Sequence, residues 1–475
     1  MRLLLVGALS WNPERVRSLA ERGHVLWGLW TRSMGWDQGP YPALEDVVRP
    51  VALEDAARTI REQRIDCVYS LFQAYDARLW APPSPGVEHG VWSVLRTLLA
   101  ERARGAVDVP IVRHWGFDVQ NLDPDVARAL DGHVFCNREK LVYWKTPRSR
   151  GGCGLDLFDR CEAIDFLDGD RPKREFMNDR FAEPLSSRGD EIHTVCIGRP
   201  FGVDVLAAAR RGIHVHVYGN GFDQVYRSIA DDLAPRDARR HAALLGRYLH
   251  VHPSLQTRGA AWPELRAVKA RWVEEFSRYD AGWSYVGSPL PWPELDDRAA
   301  IPNRVSTYVL AGLPVISDRR PGAHRWEELR RLGIGVDLVR GDYDALRADL
   351  EHEVRTRAKR DAARAARAGY SFDASIEPLL GALERASAAY HARPYAERTR
   401  FAPAGAPRLV HFATSPDPAT MVASLVRRLA QREQPLAARV ASVARGVAER
   451  WRAARRPLRA RRLARILKPW VEASG

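Results

Sequence analysis

Residues Ala299–Gly322 read AAIPNRVSTYVLAGLPVISDRRPG, and this stretch decides the fold. Pro302 presets a first helical turn, with Asn303 and Arg304 at the helix mouth. NRVSTYVLAG then carries apolar residues at helical spacing. Gly312 ends the helix, and Leu313-Pro314 leads straight into VISD, a short apolar run of the buried-strand kind. A helix that delivers the chain at once to such a strand is half of a β-α-β unit. An ordinary connection of this type needs the glycine but not Asn-Arg. A helix N-terminus leaves backbone N–H groups free, and with a guanidinium beside it the mouth suits a phosphate.

The same grammar extends in both directions. Upstream, HTVCIG, IHVHVYGNG, YLHVHPS and AGWSYVG read as strands, and GVDL follows downstream. VDVLAAARRG and ELRAVKARWVEEFSRY read as helices between them. The first part of the chain alternates likewise: strands RLLLVG, VLWGLW, DCVYSLF, PIVRHW and GHVFCN, with helices NPERVRSLAERG, LEDAARTIREQR and VWSVLRTLLAERARG. Repeated β-α-β units mean parallel sheets with right-handed crossovers. The expected fold class is therefore α/β, two tandem Rossmann-like doubly wound domains with a basic helical C-terminal tail. The expected boundaries are 1–190, 191–385, and 386–475 for linker and tail. Residues 140–190 read as loops and a linker, and the Pro/Ala-rich stretch after 385 reads as a connector with one short strand.

Ligands of doubly wound sheets bind beyond the carboxyl ends of the strands. In the second half those ends offer Arg199-Pro200, Gly219-Asn220-Gly221, Pro253-Ser254, Ser288-Pro289 and Asp318-Arg319-Arg320. Small residues and Arg suit an anionic ligand. In the first half the ends offer Ser10-Trp11-Asn12, Thr31 to Trp36, Gln73 to Asp76, His114 to Asp118, and Asn137. Trp, His, Asp and Asn suit a polyhydroxy or aromatic ligand; Trp11, Trp36 and Trp115 could face a sugar ring or pack in the core.

Most of the net charge of +14 sits in the tail. From Arg427 onward, fourteen Arg or Lys stand against Glu433, Glu449 and Glu472. There Val440, Val443, Val447 and Trp451 share one helical face with Arg on the other. Such a helix contacts an anionic membrane surface, stands in solvent, or packs on the body. Nucleic acid is not an expected partner, because no recognition motif accompanies the arginines. The opening MRLLLVG is read as a first strand rather than a leader. Five cysteines, three in strand-like runs, favour free thiols and a reducing cytoplasm. Attachment to the inner membrane face through the tail would be peripheral.

IGRPFGVD with GIHVHVYGNG and IPNRVSTYVLAGLPVIS resembles the C-terminal half of GT-B glycosyltransferases, most closely the large retaining group that uses nucleotide-sugars, family 4-like. The likeness in letters covers roughly residues 192 to 340. It implies a transferase moving a sugar from a nucleotide-sugar donor to a glycan, lipid-linked or small-molecule acceptor held by the N-terminal domain. By the resemblance, Gly198, Arg199 and Arg304 meet the donor diphosphate, with Asn303 at the same helix mouth. Gly219, Asn220 and Gly221 line the nucleotide, and Thr307 and Tyr308 belong to the family segment at the donor. His114 occupies the place of a family histidine near the transferred sugar. The chain departs from the pattern in three places. Thr307 and Ala299 stand where the family has Glu, and Asp204 stands where a Lys is common.

A leaving nucleoside diphosphate gathers negative charge that arginines and a helix N-terminus can stabilise without a metal. No metal and no cofactor is expected. Asp168-Gly169-Asp170 reads as a turn, and His133, Cys136, Cys153 and Cys161 have no familiar zinc spacing. An inverting route needs a general base on the acceptor side, for which His114 and Asp118 are the candidates. Two other functions fit the same fold: a nucleotide-sugar epimerase, and a binding protein without turnover.

Overall fold

The computed structural model describes the chain apart from residues 8, 10–12, 30–40, 72–90, 116–120, 146–160, 164–170, 190, 201, 220–224, 227–228, 230–232, 254, 256–259, 285–300, 403–409, 412–457 and 472–475. Two compact units emerge. One comprises residues 1–174, 259–266 and 371–417; the other comprises 175–258, 267–370 and 418–475.

The first unit is built on β1 (Arg2–Val6), β2 (Val25–Leu29), β3 (Val48–Val51), β4 (Cys67–Ser70), β5 (Ile111–Trp115), β7 (Gly132–Phe135) and β8 (Cys161–Ala163), in the order β3-β2-β1-β4-β5-β7-β8. Every pairing in this sheet is parallel. The inner strands are near-continuous apolar runs because both faces of a parallel sheet are covered. Val16 and Leu19 of helix Pro13–Glu21 pack on one face with Leu3, Leu5 and Leu26. Ile376, Leu379, Leu380 and Leu383 of helix Ile376–Ala392 join the same cluster. At about 1.5–3 kcal/mol per buried aliphatic side chain, that late helix contributes heavily to the first unit. Beyond it, β15 (Val410–His411) pairs antiparallel with β6 (Asn121–Leu122), the one short strand expected in the connector.

The second unit holds β9 (Ile192–Ile197), β10 (Ile213–Tyr218), β11 (Leu249–His252), β12 (Ala281–Trp283), β13 (Val315–Asp318) and β14 (Gly335–Leu338), ordered β11-β10-β9-β12-β13-β14 and all parallel. Both sheets, 7 and 6 strands, have the doubly wound organisation that the sequence predicts. All six strands of the second sheet fall on expected runs. In the first, β8 forms where loops are expected and β3 where no strand is expected; both are edge strands.

Part of the basic tail belongs to this second core. Residues 458–471 form a helix whose Ala460, Leu463, Leu467 and Val471 are buried among Val205, Leu245 and Leu249. The described part of the tail is thus a packed helix. The stripe Val440, Val443, Val447 and Trp451 lies outside the described residues.

Candidate functional site

Arg304–Leu310 is a helix of two turns, and it ends as the sequence predicts. Gly312 takes φ +66°, its N–H bonds the Val309 carbonyl at 3.0 Å, and the Leu313 N–H bonds the Tyr308 carbonyl at 2.9 Å. This paired closure needs a residue that tolerates left-handed backbone, hence glycine. The mouth differs from expectation. Asn303 is exposed and makes no side-chain cap, while the amides of Val305 and Ser306 bond the carbonyls of Pro302 and Asn303 at 2.9 and 3.1 Å. The first turn therefore closes on itself, and two of its N–H groups already have acceptors.

Arg304 is 7% exposed, and its guanidinium reaches back to the end of β9. Nη1 donates to Cys196 Sγ at 3.0 Å and Nη2 to the Arg199 carbonyl at 2.9 Å. Burial pushes the Cys196 thiol pKa up, with Arg304 acting against that shift. Gly198 adopts φ +83°, and a Cβ there would lie 3.4 Å from Arg304 Nη2. Its N–H bonds the Tyr218 carbonyl at 2.7 Å, which sets the turn beside the end of β10, where Gly219 follows. Gly198, Arg199, Gly219 and Arg304 are thus gathered at adjacent strand ends, with the Arg199 side chain exposed. Asn220 and Gly221 lie outside the described residues.

Tyr308 is fully buried. Its hydroxyl donates to the Trp283 carbonyl at 2.9 Å and accepts from the Ile197 N–H at 3.0 Å. Its ring covers Gly282, where an added Cβ would fall 2.5 Å from a ring carbon. This tyrosine ties the helix to β9 and β12 from inside the unit. Thr307 is also buried. Asp204, where a lysine was the family expectation, is an N-cap: its Oδ1 accepts from Leu206 and Ala207 amides at 3.1 and 2.9 Å, starting helix Val205–Arg210.

In the first unit, His114 is 1% exposed near the end of β5. Its Nδ1 lies 3.3 Å from the Tyr69 hydroxyl, which also accepts from Arg15 at 3.1 Å. Asp118 lies outside the described residues. Trp115 is a core residue rather than a sugar platform: it is fully buried, stacks on Phe135 at 6.0 Å, and donates from Nε1 to His133 Nδ1 at 3.0 Å. Trp11 and Trp36 fall outside the described residues, as do Cys153 and the Asp168-Gly169-Asp170 turn. The other four cysteines are free thiols.

Two tandem doubly wound sheets define the GT-B class. The chain is similar over 81% of its length to a glycosyltransferase from Rickettsia africae, at 12% identity, TM-score 0.51, and 97% coverage of that chain. It is similar over 81% to an alpha-glucosyltransferase solved with UDP and a 13-mer DNA, at 11% identity, TM-score 0.50 and 99% coverage of that chain. At such identities the likeness is one of fold. No family model matches the sequence, and no curated protein matches it.

Proposed function

We propose that the protein is a glycosyltransferase that moves a sugar from a nucleotide-sugar donor to an acceptor bound by the first unit. The observation that carries this reading is the turn at the end of β9, where Gly198 and the exposed Arg199 sit beside Gly219 and are held from below by Arg304. A guanidinium at a strand end of a doubly wound sheet suits a diphosphate. Arg199 makes the contact, and Arg304 positions the turn through the Arg199 carbonyl. Asn220 and Gly221, which follow Gly219 in the sequence, and Asn303 at the helix mouth complete the proposed donor-binding set. The UDP bound by the similar alpha-glucosyltransferase supports a nucleoside diphosphate as the ligand class.

Transfer proceeds without a metal, the charge on the departing diphosphate being met by Arg199. His114 and Asp118 are the candidates for the acceptor-side base that an inverting route needs, and the acceptor is a glycan, a lipid-linked sugar or a small molecule. The protein acts in the cytoplasm, with the Arg-rich tail as its means of touching a membrane. Among the described residues, no helix is long and apolar enough to cross one.

A panel of nucleotide-sugars tests the reading. One donor raises the unfolding temperature and is slowly hydrolysed to its nucleoside diphosphate when no acceptor is present. Interconversion of the donor with its epimer would instead identify an epimerase, and binding with no turnover across a broad acceptor set would identify a binding protein.

A further inference from the structure

The second sheet carries an arrangement that donor binding leaves unexplained. IHTV, IHVHVY and LHVH place His193 on β9, His214 and His216 on β10, and His250 and His252 on β11. Register brings them to one face. His193 stands opposite His214, His216 opposite His250, and His252 opposite Tyr218. Alternation sends Ile213, Val215, Val217 and Leu249 to the other face, into the apolar core. A covered parallel sheet normally fills both faces with aliphatic residues. Here one face substitutes five of the chain's 14 histidines.

The rings form a compact stack. Centroids lie 4.3 Å apart for His193 and His214, and 4.2 Å for His216 and His250. Nitrogens meet in pairs: His193 Nδ1 and His216 Nε2 at 3.0 Å, His214 Nδ1 and His250 Nε2 at 2.9 Å, and His216 Nδ1 and His252 Nε2 at 2.9 Å. One ring nitrogen from each of His193, His214 and His216 lies within 4.8 Å of the others, and this is the one such grouping of three or more metal-ligating side chains among the described residues. Burial lowers the pKa of all five, that of His193 and His250 to about 4. His214 Nε2 lies 3.1 Å from a Glu191 oxygen, the carboxylate–histidine relation that orients a metal-binding ring.

We propose that His193, His214 and His216 bind one late first-row divalent cation of the zinc class, with Glu191 as the outer carboxylate. Zinc–imidazole bonds of about 2.0–2.1 Å require ligand nitrogens roughly 3 to 3.5 Å apart, so binding turns the His193 and His214 rings out of their stack and draws together nitrogens that now lie within 4.8 Å. Strands hold them, which fixes their spacing better than loops would. His250 and His252, half-buried on edge strand β11, flank the three ligands. His193 and His214 sit at the second positions of their strands, whereas Gly198 and Gly219 follow the strand ends. An ion there staples β9 to β10 without touching a ligand at the strand ends. The site is structural, and it stands whether or not the protein transfers sugar.

The test uses the full chain stripped with a chelator. Equilibrium dialysis against zinc, followed by elemental analysis, is expected to give one ion per chain. Cobalt(II) is expected to give the visible spectrum of a nitrogen-ligated, four-coordinate ion. His193→Gln and His216→Gln each lose that stoichiometric ion, whereas His352→Gln, on an exposed helix surface, retains it. In the unaltered chain, zinc shifts the ring NMR signals of this histidine group, which keeps the test decisive even if a variant folds poorly. No bound ion, or binding that survives both cluster substitutions, would overturn the proposal and leave a hydrogen-bonded histidine stack.

Discussion

An ideal Cβ on Gly282 would fall 2.5 Å from the Tyr308 ring, closer than relaxed packing allows. Gly282→Ala is expected to destabilise the second unit by about 1–3 kcal/mol, seen as a lower denaturant midpoint. An unchanged midpoint would mean that the ring is not seated there. Tyr308→Phe should cost about 1–3 kcal/mol, because it leaves the Ile197 amide and Trp283 carbonyl without the hydroxyl between them. At this scale the sequence located the residues better than their orientations. Arg199, Arg304 and Gly198 do converge, but letters cannot show that the Arg304 guanidinium points back to β9. Nor could they show that Tyr308 serves the interior. Asp204 was legible in another way: Asp immediately before an apolar helical run is a capping signal, and the structure uses it as one. The alternating histidines were in plain view in IHVHVY and LHVH. Reading each run only as a strand concealed that adjacent registers would stack them.

Among elements, the helix at 458–471 offers a clean contrast. Leu463→Ala and Leu467→Ala each remove a fully buried side chain and should destabilise the second unit by about 2–5 kcal/mol. Arg461→Gln, on the exposed side, should stay within about 0.5 kcal/mol. Equal effects from all three would contradict the packing. Upstream of that helix, replacing Arg450, Arg452, Arg455 and Arg456 with Gln is expected to reduce sedimentation with anionic vesicles, at about 1 kcal/mol per charge. Unchanged sedimentation would remove the membrane role of the tail. The helix Pro13–Glu21 has its own marker in Arg17, whose Nη1 donates to Asp46 at 2.7 Å. That bond holds the Asp46 carboxyl below its ordinary pKa of 3.8. A lowered folded-state value stabilises above 3.8 and fades as pH falls through the folded-state value. Asp46→Asn should therefore lower stability at neutral and alkaline pH, leave it unchanged in acid, and so flatten the acid limb. Inner strands were readable because burial on two faces makes them apolar. The edge strands β3, VRPV, and β8, CEA, were not, since an edge accepts Pro50 and charge, and short runs show no period.

For the whole molecule, two sheets were foreseeable from two rounds of β-α alternation. The return of residues 371–417 to the first unit was not. The spacing of Ile376, Leu379 and Leu383 announces an apolar helix face, but nothing local states which core will receive it. The central claim concerns a single unit: a nucleoside diphosphate binds at the strand-end turn of the second. Calorimetric titration of UDP and GDP into the unaltered chain and into Arg199→Ala tests this most directly. We predict saturable binding by the unaltered chain. We predict binding weaker by roughly ten- to hundredfold in the variant, the loss of one or two charge-assisted hydrogen bonds, at an unchanged unfolding temperature. Equal affinity in the two proteins, or no binding of either nucleotide by the unaltered chain, would contradict the account.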